Sequence, residues 1–355
     1  MTSSIVILPG DGIGPDVTVQ AVRVLEVIAK KYNLGLTIKH ALIGGAAIDL
    51  VGTPLPIETL DLCRNARAIF LGAVGGPQWE NIATELRPEQ GLLDLRRELG
   101  LFANLRPVKT VPEFVATSPI KPERLANVDI IIVRELTGGI YFGKRGRTKT
   151  TAFDTCEYSI EEIERICRVA GSLARTRKRR VTSVDKANVL DTSRLWRETA
   201  TRIFSEEYPD IELEHLYIDA ATMHLLSRPA EFDVMVMDNM FGDILTDEAS
   251  MLAGSLGVLP SASLNQTSAG LFEPIHGSAP DIAGKGIANP CGAILSMALL
   301  LRHSMDASEA ANAVEDAVKA VLAAGILTTD LVATTNRNAV STSEFGDAVL
   351  TQLTS

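Results

Sequence analysis

The chain has 355 residues, 46% of them apolar and 22% charged, with a formal net charge of -10. That length exceeds what one hydrophobic core usually organises, so about two globular domains are expected. The acidic balance argues against a nucleic-acid surface, because no basic excess exists to meet a polyanion.

Apolar runs alternate with helical periodicity along nearly the whole chain, which predicts an α/β fold. A strand is predicted at Ile5–Leu8, followed by "LPGDGIGPDV" (8–17). Gly10, Gly12 and Gly14 give G-x-G-x-G and then Pro15, not the G-x-G-x-x-G of a dinucleotide fingerprint. No acidic residue follows about twenty positions on at the end of a second strand, as that fingerprint would need. The turn is read as a sharp strand-to-helix corner that lets another group approach closely. Pro15 suits the first turn of the helix predicted at Asp16–Tyr32. Further strands are predicted at Leu36–Ile43 and Ala68–Leu71, with a helix at Ile57–Asn65 between them.

"LLDLRRELGLFANLRPV" (92–108) carries Arg96 and Arg106, and Arg134 follows the strand predicted at Val128–Val133. Three converging guanidinium forks would suit a substrate with two carboxylates; taken singly, each arginine is an ordinary ion-pair partner. Thr137–Tyr158 is rich in Gly, Thr and aromatic residues and reads as a β-hairpin or arm. It contains Tyr141, for which cross-strand packing is the plain role and proton donation the sharper one. "SIEE" (159–162) is a capping box that starts a helix predicted over Ser159–Thr176. Arg175, Arg177, Lys178, Arg179 and Arg180 close that helix, suit its dipole and read as a solvated face.

The strand predicted at Val181–Val184 leads into "SVDKANVL" (183–190), and a helix is predicted over Ser193–Tyr208. Strands at Leu213–Ile218 and Asp233–Met237 follow, then a helix at Ile244–Leu256. Polar groups sit just past four strand ends: Arg134, then Asp185 with Lys186, then Asp219, then Asp238. Strands must end in something polar, but in open α/β sheets this is the edge where ligands bind. In "DNMFGDILTDEASM" (238–251), Asp243 and Asp247 are four apart and share a helix face. The pair either complements the helix dipole or flanks a divalent cation, with Asp219 as a third acid. Carboxylate oxygens suit Mg²⁺ or Mn²⁺. Lys186 is solvated by default; beside a cation its neutral form gains weight and it becomes a usable base. "FEPIHGSAPDIAGKGIANP" (272–290) is a long irregular loop able to present backbone N–H groups to a pyrophosphate. Helices at Pro290–Ser304 and Ala307–Ala324 close the predicted set. Cys63, Cys156, Cys167 and Cys291 are scattered without a CxxC pair, the N-terminus lacks a signal-peptide pattern, and Ala293–Leu301 is too short to span a bilayer. A cytoplasmic protein with no membrane segment is expected.

From "LPGDGIGPDV" to "STSEFGDAV" the chain resembles the β-decarboxylating dehydrogenases, the isocitrate/isopropylmalate dehydrogenase family. "RELTGGIYFG", "SVDKANVL", "DNMFGDIL" and "HGSAPDIAGKGIANP" carry the resemblance. It implies a two-domain, non-Rossmann α/β fold. Residues 1–101 plus 255–355 would bind the cofactor, and 102–254 would hold substrate and metal residues, the dimer interface and a β-arm at about 137–158. It implies NAD-dependent oxidation of (2R,3S)-3-isopropylmalate at C2, then loss of CO₂ to 4-methyl-2-oxopentanoate, in leucine biosynthesis. Asp219, Asp243 and Asp247 correspond to Mg²⁺ or Mn²⁺ ligands, Arg96, Arg106 and Arg134 to the carboxylate clamps, Lys186 to the base and Tyr141 to the acid. The lysine and one metal-binding aspartate are expected to reach across from a second subunit, so a homodimer is implied. Domain closure over the substrate is expected as well. Glu273, His276, Gly277, Ser278, Ala279, Asp281, Ile282, Ala288 and Asn289 correspond to the adenosine and pyrophosphate site. Asp330 corresponds to the acid that holds the adenosine ribose, and the segment Gly76 to Glu89, with Asn188, to the nicotinamide side. Glu89, Leu92, Leu93, Val189 and Asp219 are expected around the substrate.

Relatives acting on isocitrate, homoisocitrate, tartrate or malate share most of these sets. Leu92 and Leu93 read either as ordinary core or as an apolar wall for an isopropyl group, whose burial is worth roughly 1.5–3 kcal/mol. Isocitrate enzymes of the family place a serine/asparagine pair there. Leu327 stands where many relatives have arginine, and the hairpin "FGKRGR" is shorter than the common form. An inactive dimeric nucleotide-binding scaffold is the reading from another class. Tyr141 and Lys186, which binding alone would not need, argue against it.

Overall fold

The computed structural model describes residues 3–110, 115, 118–267, 269–332 and 338–354. The chain forms two compact units, Met1–Leu101 with Gly254–Ser355, and Phe102–Ala253. Each is an α/β layer, the class its alternating pattern predicts. In chain order, β1 (Ser3–Gly10), β2 (Leu36–His40) and β3 (Ala68–Ala73) come first. The second unit holds β4 (Ala103–Lys109), β5 (Asp129–Glu135), the short β6 (Arg145–Arg147) and β7 (Ala152–Asp154), β8 (Arg180–Asp185), β9 (Glu212–Tyr217) and β10 (Val234–Met237). Then β11 (Pro260–Leu264) and β12 (Gly270–Pro274) return to the first unit.

In the first unit the strand order is β2-β1-β3-β12-β11, parallel except for β11 against β12. β3, "AIFLGA", is buried at every position, as a central parallel strand should be. The helix Gly14–Lys31 turns Val17, Ala21, Val24, Leu25 and Ile28 inward at helical spacing. Cys291–His303 is apolar nearly all round and accordingly buried on most sides, contacting the helices Gly14–Lys31 and Ser308–Ala323 and strands β11 and β12.

The opening glycine turn is a backbone-to-backbone fit. Gly10 lies at φ 71° and Gly12 at φ 57°, the left-handed region that favours glycine. A Cβ at Gly10 would stand 1.8 Å from the Ala73 carbonyl oxygen, and one at Gly12 2.0 Å from that of Ser278. The Asp11 and Ile13 N–H groups donate to those same carbonyls, each at 2.8 Å. The group that approaches closely is therefore the protein's own chain. Between the glycines, Asp11 is buried and accepts from the backbone N–H of Gly45, Ala46 and Gly75 at 2.8, 2.7 and 2.9 Å. Burial nevertheless holds its carboxyl above the usual carboxylate range.

In the second unit the order is β4-β5-β10-β8-β9, with β5, β10, β8 and β9 parallel and β4 antiparallel to β5. Ile130 and Ile132 on β5, and Met235 and Met237 on β10, alternate at period two and share a core with Leu225, Phe241, Leu245 and Leu252. The capping box is present: Ser159 Oγ accepts from the Glu162 N–H, and Glu162 accepts from the Ser159 N–H. Because four neighbouring strands run the same way, their C-terminal ends share one edge, which carries Arg134, Asp238, Lys186 and Asp219.

Several sequence expectations are corrected. β2 ends at His40, short of Ile43, because the chain leaves to begin the helix Gly45–Val51, whose first N–H groups Asp11 holds. β9 ends at Tyr217, one residue short of the expected Ile218, and Asp219, just past it, lies in the first turn of the helix Ile218–Ser227. The helix expected from Ile244 begins at Asn239, so Asp243 is a turn inside it and Asp238 meets its first N–H groups. Tyr141 closes a 3-10 turn, Gly139–Tyr141, that precedes the β6–β7 hairpin. Within the basic run Arg175, Lys178 and Arg179 are exposed as expected, but Arg177 turns inward to Asp129 and buried Asp233, each at 2.7 Å. Among the described residues no helix is long and apolar enough to cross a membrane, and the four cysteines are free.

Gly10→Ala must force φ and push backbone from backbone, so it is expected to cost at least about 2 kcal/mol of stability. A urea midpoint equal to the parent's would refute this account of the turn.

Candidate active site

The helix Asn239–Ala253 crosses the ends of β4 and β5 and places Asp243 beside Arg134. Arg134 is 6% exposed. Its Nη1 donates to Asp243 Oδ1 at 2.5 Å, while Nε and Nη2 both donate to Asn239 Oδ1, at 3.0 and 2.8 Å. The Tyr141 hydroxyl donates to the other Asp243 oxygen at 2.8 Å, and the guanidinium lies 5.9 Å from the Tyr141 ring centroid. Partial burial and the Asp243 carboxylate push the Tyr141 hydroxyl up to about 12, so it keeps its proton. Arg106, on β4, donates from Nε to Asn104 at 3.0 Å.

Asp247 is one turn beyond Asp243. Burial, and then the Asp243 charge, raise its carboxyl above the usual range, with Arg106 and Arg134 opposing. Two carboxylates on one helix face, the second short of compensation, are a donor set that a hard divalent cation fits.

Lys186 and Asp219 form a second group. Lys186 Nζ donates to Asp219 Oδ1 at 2.8 Å, and this lysine holds the Asp219 carboxyl below its usual range. The turn after β8 is braced by Asp185, which is buried, paired twice with Arg197 at 2.8 and 2.9 Å, and accepts from the Ala187 N–H. Ser193 Oγ accepts from the Lys186 N–H at 3.1 Å. Beyond it, Asn188 and Val189 are exposed. No group of three His, Cys, Asp or Glu side chains among the described residues is arranged to hold a metal. Within one chain, Asp219 therefore does not complete the Asp243–Asp247 set as the residues alone suggested: it is engaged by Lys186, while Asp243 is engaged by Arg134 and Tyr141.

In the first unit Asp330 is a carboxylate surrounded by donors. Its Oδ2 accepts from Ser255 Oγ at 2.5 Å and Asn289 Nδ2 at 3.0 Å, and its Oδ1 from Thr328 Oγ1 at 2.6 Å. Asn289 is fixed in turn by the Cys291 N–H. His276 shares a 2.9 Å hydrogen bond between Nδ1 and the Gly277 carbonyl. Its Nε2 is buried without a hydrogen-bond partner among the described residues, and burial holds the ring below its usual range. An acceptor nitrogen left open in this way has capacity for one further donor. Ala279 stands at φ 38° just after Ser278, whose carbonyl is tied to the opening turn. Asp281 is exposed, Ile282 half-buried and Ala288 buried. Arg96 and Glu273 form a largely buried ion pair at 2.5 Å. Glu89 lies against Gly75, next to Gly76. Leu92 packs on the unit's core, whereas Leu93 is 36% exposed. Of the two, Leu93 is the one free to line a ligand site.

Sequence reasoning missed most of the groups that hold these residues in place: Asn239, Arg197, Ser193 and Asp11. Asp185 stands out with Lys186 as a polar group at a strand end, without its bracing role, and for Asn239 adjacency to Asp238 is the only signal available.

A model of the family described as isocitrate/isopropylmalate dehydrogenase matches residues 4–349. A 3-isopropylmalate dehydrogenase of Pseudomonas fluorescens is 54% identical over 359 aligned residues, covering 99% of each chain. One of Rhodopirellula baltica is 53% identical over 359, covering 100% of each. Among solved structures, an isocitrate dehydrogenase from Methylococcus capsulatus is 35% identical, with a TM-score of 0.88 and 100% of both chains covered.

Asp238 makes stability depend on pH. Burial pushes its carboxyl from the ordinary 3.8 up to about 6, although it accepts from the Phe241 N–H. A raised acid stabilises the fold below its unfolded value, and that contribution is lost as pH rises through about 6. Asp238→Asn is expected to have a higher urea midpoint than the parent at pH 7 and no such advantage at pH 4. Parallel stability profiles for the two proteins would refute the assignment.

Proposed function

The chain belongs to the isocitrate/isopropylmalate dehydrogenase family, and we propose that it oxidises and decarboxylates (2R,3S)-3-isopropylmalate to 4-methyl-2-oxopentanoate, as a cytoplasmic, NAD-dependent enzyme of leucine biosynthesis. The observation that carries this is the Arg134–Asp243–Tyr141 cluster, a cation for a carboxylate and a held proton at one carboxylate, in a chain 54% identical end to end to a relative of that name.

Arg106 and Arg134 take the substrate carboxylates of the malate core, and Arg96 exchanges Glu273 for one of them. Lys186 accepts the proton of the C2 hydroxyl at Nζ. It must be neutral to do so, and its pair with Asp219 has to open first. Tyr141 returns a proton to carbon after CO₂ has left, and its upward-shifted hydroxyl keeps that proton available. Glu89, Leu92, Leu93 and Val189 are assigned to the substrate's surroundings. Asp243 and Asp247, with Asp219 from a second copy of the chain, would hold Mg²⁺ or Mn²⁺. The bound cation supplies Lewis acidity to the substrate oxygens, and NAD supplies the hydride acceptor.

For NAD we assign the loop residues His276, Gly277, Ser278, Ala279, Asp281, Ile282, Ala288 and Asn289 together with Glu273, Asp330, Gly76, Glu89 and Asn188. The Asp330 carboxylate suits a ribose diol and would repel a phosphate at the 2′ position. The homodimer is assigned to the helices Ile218–Ser227 and Asn239–Ala253. They leave Met223, Leu226, Ile244 and Met251 exposed on the unit that carries Lys186 and Asp219.

With NAD⁺ and Mg²⁺, NADH is expected to form from 3-isopropylmalate at a kcat/KM at least about tenfold above that for isocitrate or D-malate. A preference for either control would reassign the substrate. Lys186→Met and Asp243→Asn are each expected to abolish turnover. Mixing and re-annealing the two variants should restore about a quarter of parental activity, because half the dimers are mixed and each has one site with both wild-type residues. No recovery on mixing would rule out sites shared between subunits.

A further inference from the structure

Asn239 is 1% exposed and uses every hydrogen-bonding atom of its amide. Oδ1 accepts both Nε and Nη2 of Arg134, at 3.0 and 2.8 Å. Nδ2 donates to the carbonyls of Leu136 and Gly138, at 3.1 and 3.2 Å, immediately before the Gly139–Tyr141 turn. Arginine has no acceptor and a carbonyl no donor, so the partners dictate which way the amide points. The residue's own N–H donates to the Tyr158 hydroxyl at 2.9 Å, which fixes the start of its helix. Three positions on, Gly242 provides the room: a Cβ there would lie 2.5 Å from Arg134 Cγ. The arginine stem thus crosses the helix and reaches Asn239 on one side and Asp243 on the other.

We propose that Asn239 is a positioning residue that sets the carboxylate-binding Arg134 and the proton-donating Tyr141 in register with Asp243, through opposite ends of one side chain. This rests on the roles given to Arg134 and Tyr141 above. The two ends separate chemically. Asn239→Asp keeps an acceptor for Arg134 but turns an oxygen, with no proton to give, on the Leu136 and Gly138 carbonyls. Asn239→Leu removes both functions at similar volume.

The test is steady-state kinetics of the full-length enzyme with 3-isopropylmalate, NAD⁺ and Mg²⁺, alongside urea midpoints. Asn239→Asp is expected to hold KM within about threefold while kcat falls about tenfold or more, and Asn239→Leu to raise KM about tenfold as well, the worth of a hydrogen bond to a charged group. In a Tyr141→Phe background, Asn239→Asp should lower kcat by no more than about twofold further, because the turn it disturbs no longer carries the proton. Losses that multiply across the double variant, or a parental kcat in Asn239→Asp, overturn the proposal. If Asn239→Leu does not fold, Asn239→Asp and the double variant decide. If the unsubstituted enzyme turns over none of its candidate substrates, the reading of the site fails. The positioning claim is then judged by a crystal structure of Asn239→Asp: a displaced Gly139–Tyr141 turn upholds it, and an unmoved one overturns it.

Discussion

The second unit is organised around an almost fully buried guanidinium. Burying a charge is costly unless it is paired and fully hydrogen-bonded, and Arg134 meets that demand with Asp243 on one side and Asn239 on the other. Satisfying it fixes where the helix Asn239–Ala253 begins, why position 242 carries no side chain, and where the Tyr141 hydroxyl lands. A well-packed apolar trio would serve stability as well or better. The carboxylate-binding role proposed for Arg134 would account for so demanding an arrangement at a strand's C-terminal end.

The first unit is governed by a different constraint, the close approach of backbone to backbone. Gly10 and Gly12 let the turn after β1 lie on the carbonyls of Ala73 and Ser278. Asp11, between them, gathers the N–H groups of Gly45, Ala46 and Gly75. One turn thereby ties three segments, including the long loop at 276–289, before any nucleotide is present. Irregular backbone in that loop is tolerable because its ends are held: Ile13 on Ser278 at the start, and at the far end Thr342 Oγ1 on the Ala288 carbonyl at 2.6 Å.

Several local features are legible in the sequence. The capping box at Ser159 needs only residues three apart, the glycine turn only a broken spacing rule, and Asp243 and Asp247 only helical periodicity. What failed depended on partners distant in sequence. Arg177 read as solvent-facing because Asp129 and Asp233, its partners, lie 48 and 56 residues away. β4 was hidden by Pro107, which argues against a strand, although it stands in register with Ile131. β11 and β12, "PSASL" and "GLFEP", have small and polar residues where alternation would be sought. Asn239 was passed over between two acids because its function lies in carbonyls 101 and 103 residues upstream. The resemblance to a family supplied roles for the reacting groups and none for the groups that hold them.

Three of the cations assigned to substrate and proton transfer rest on acids of their own unit, Arg134 on Asp243, Lys186 on Asp219 and Arg96 on Glu273, while Arg106 holds the Asn104 amide. Each of these three cations is thus already paired within its own unit. Under the proposed function, a dianionic substrate and a dication would arrive with cancelling charge, so binding would exchange partners without stranding a buried ion. On that reading Arg134 and Arg96 would pass from a protein carboxylate to a substrate carboxylate, and Asp243 and Asp219 from a guanidinium and an ammonium to the metal. The cost of the exchange is the loss of pairs already formed, which is smaller than exposing a bare buried charge to find its partner. The same logic makes either ligand alone a poor fit: substrate without cation leaves Asp243 and Asp247 facing added negative charge, and cation without substrate leaves Arg134 short of an anion. Under the proposed function, interdependence of substrate and metal binding would follow from how these pairs are drawn, before any chemistry is considered.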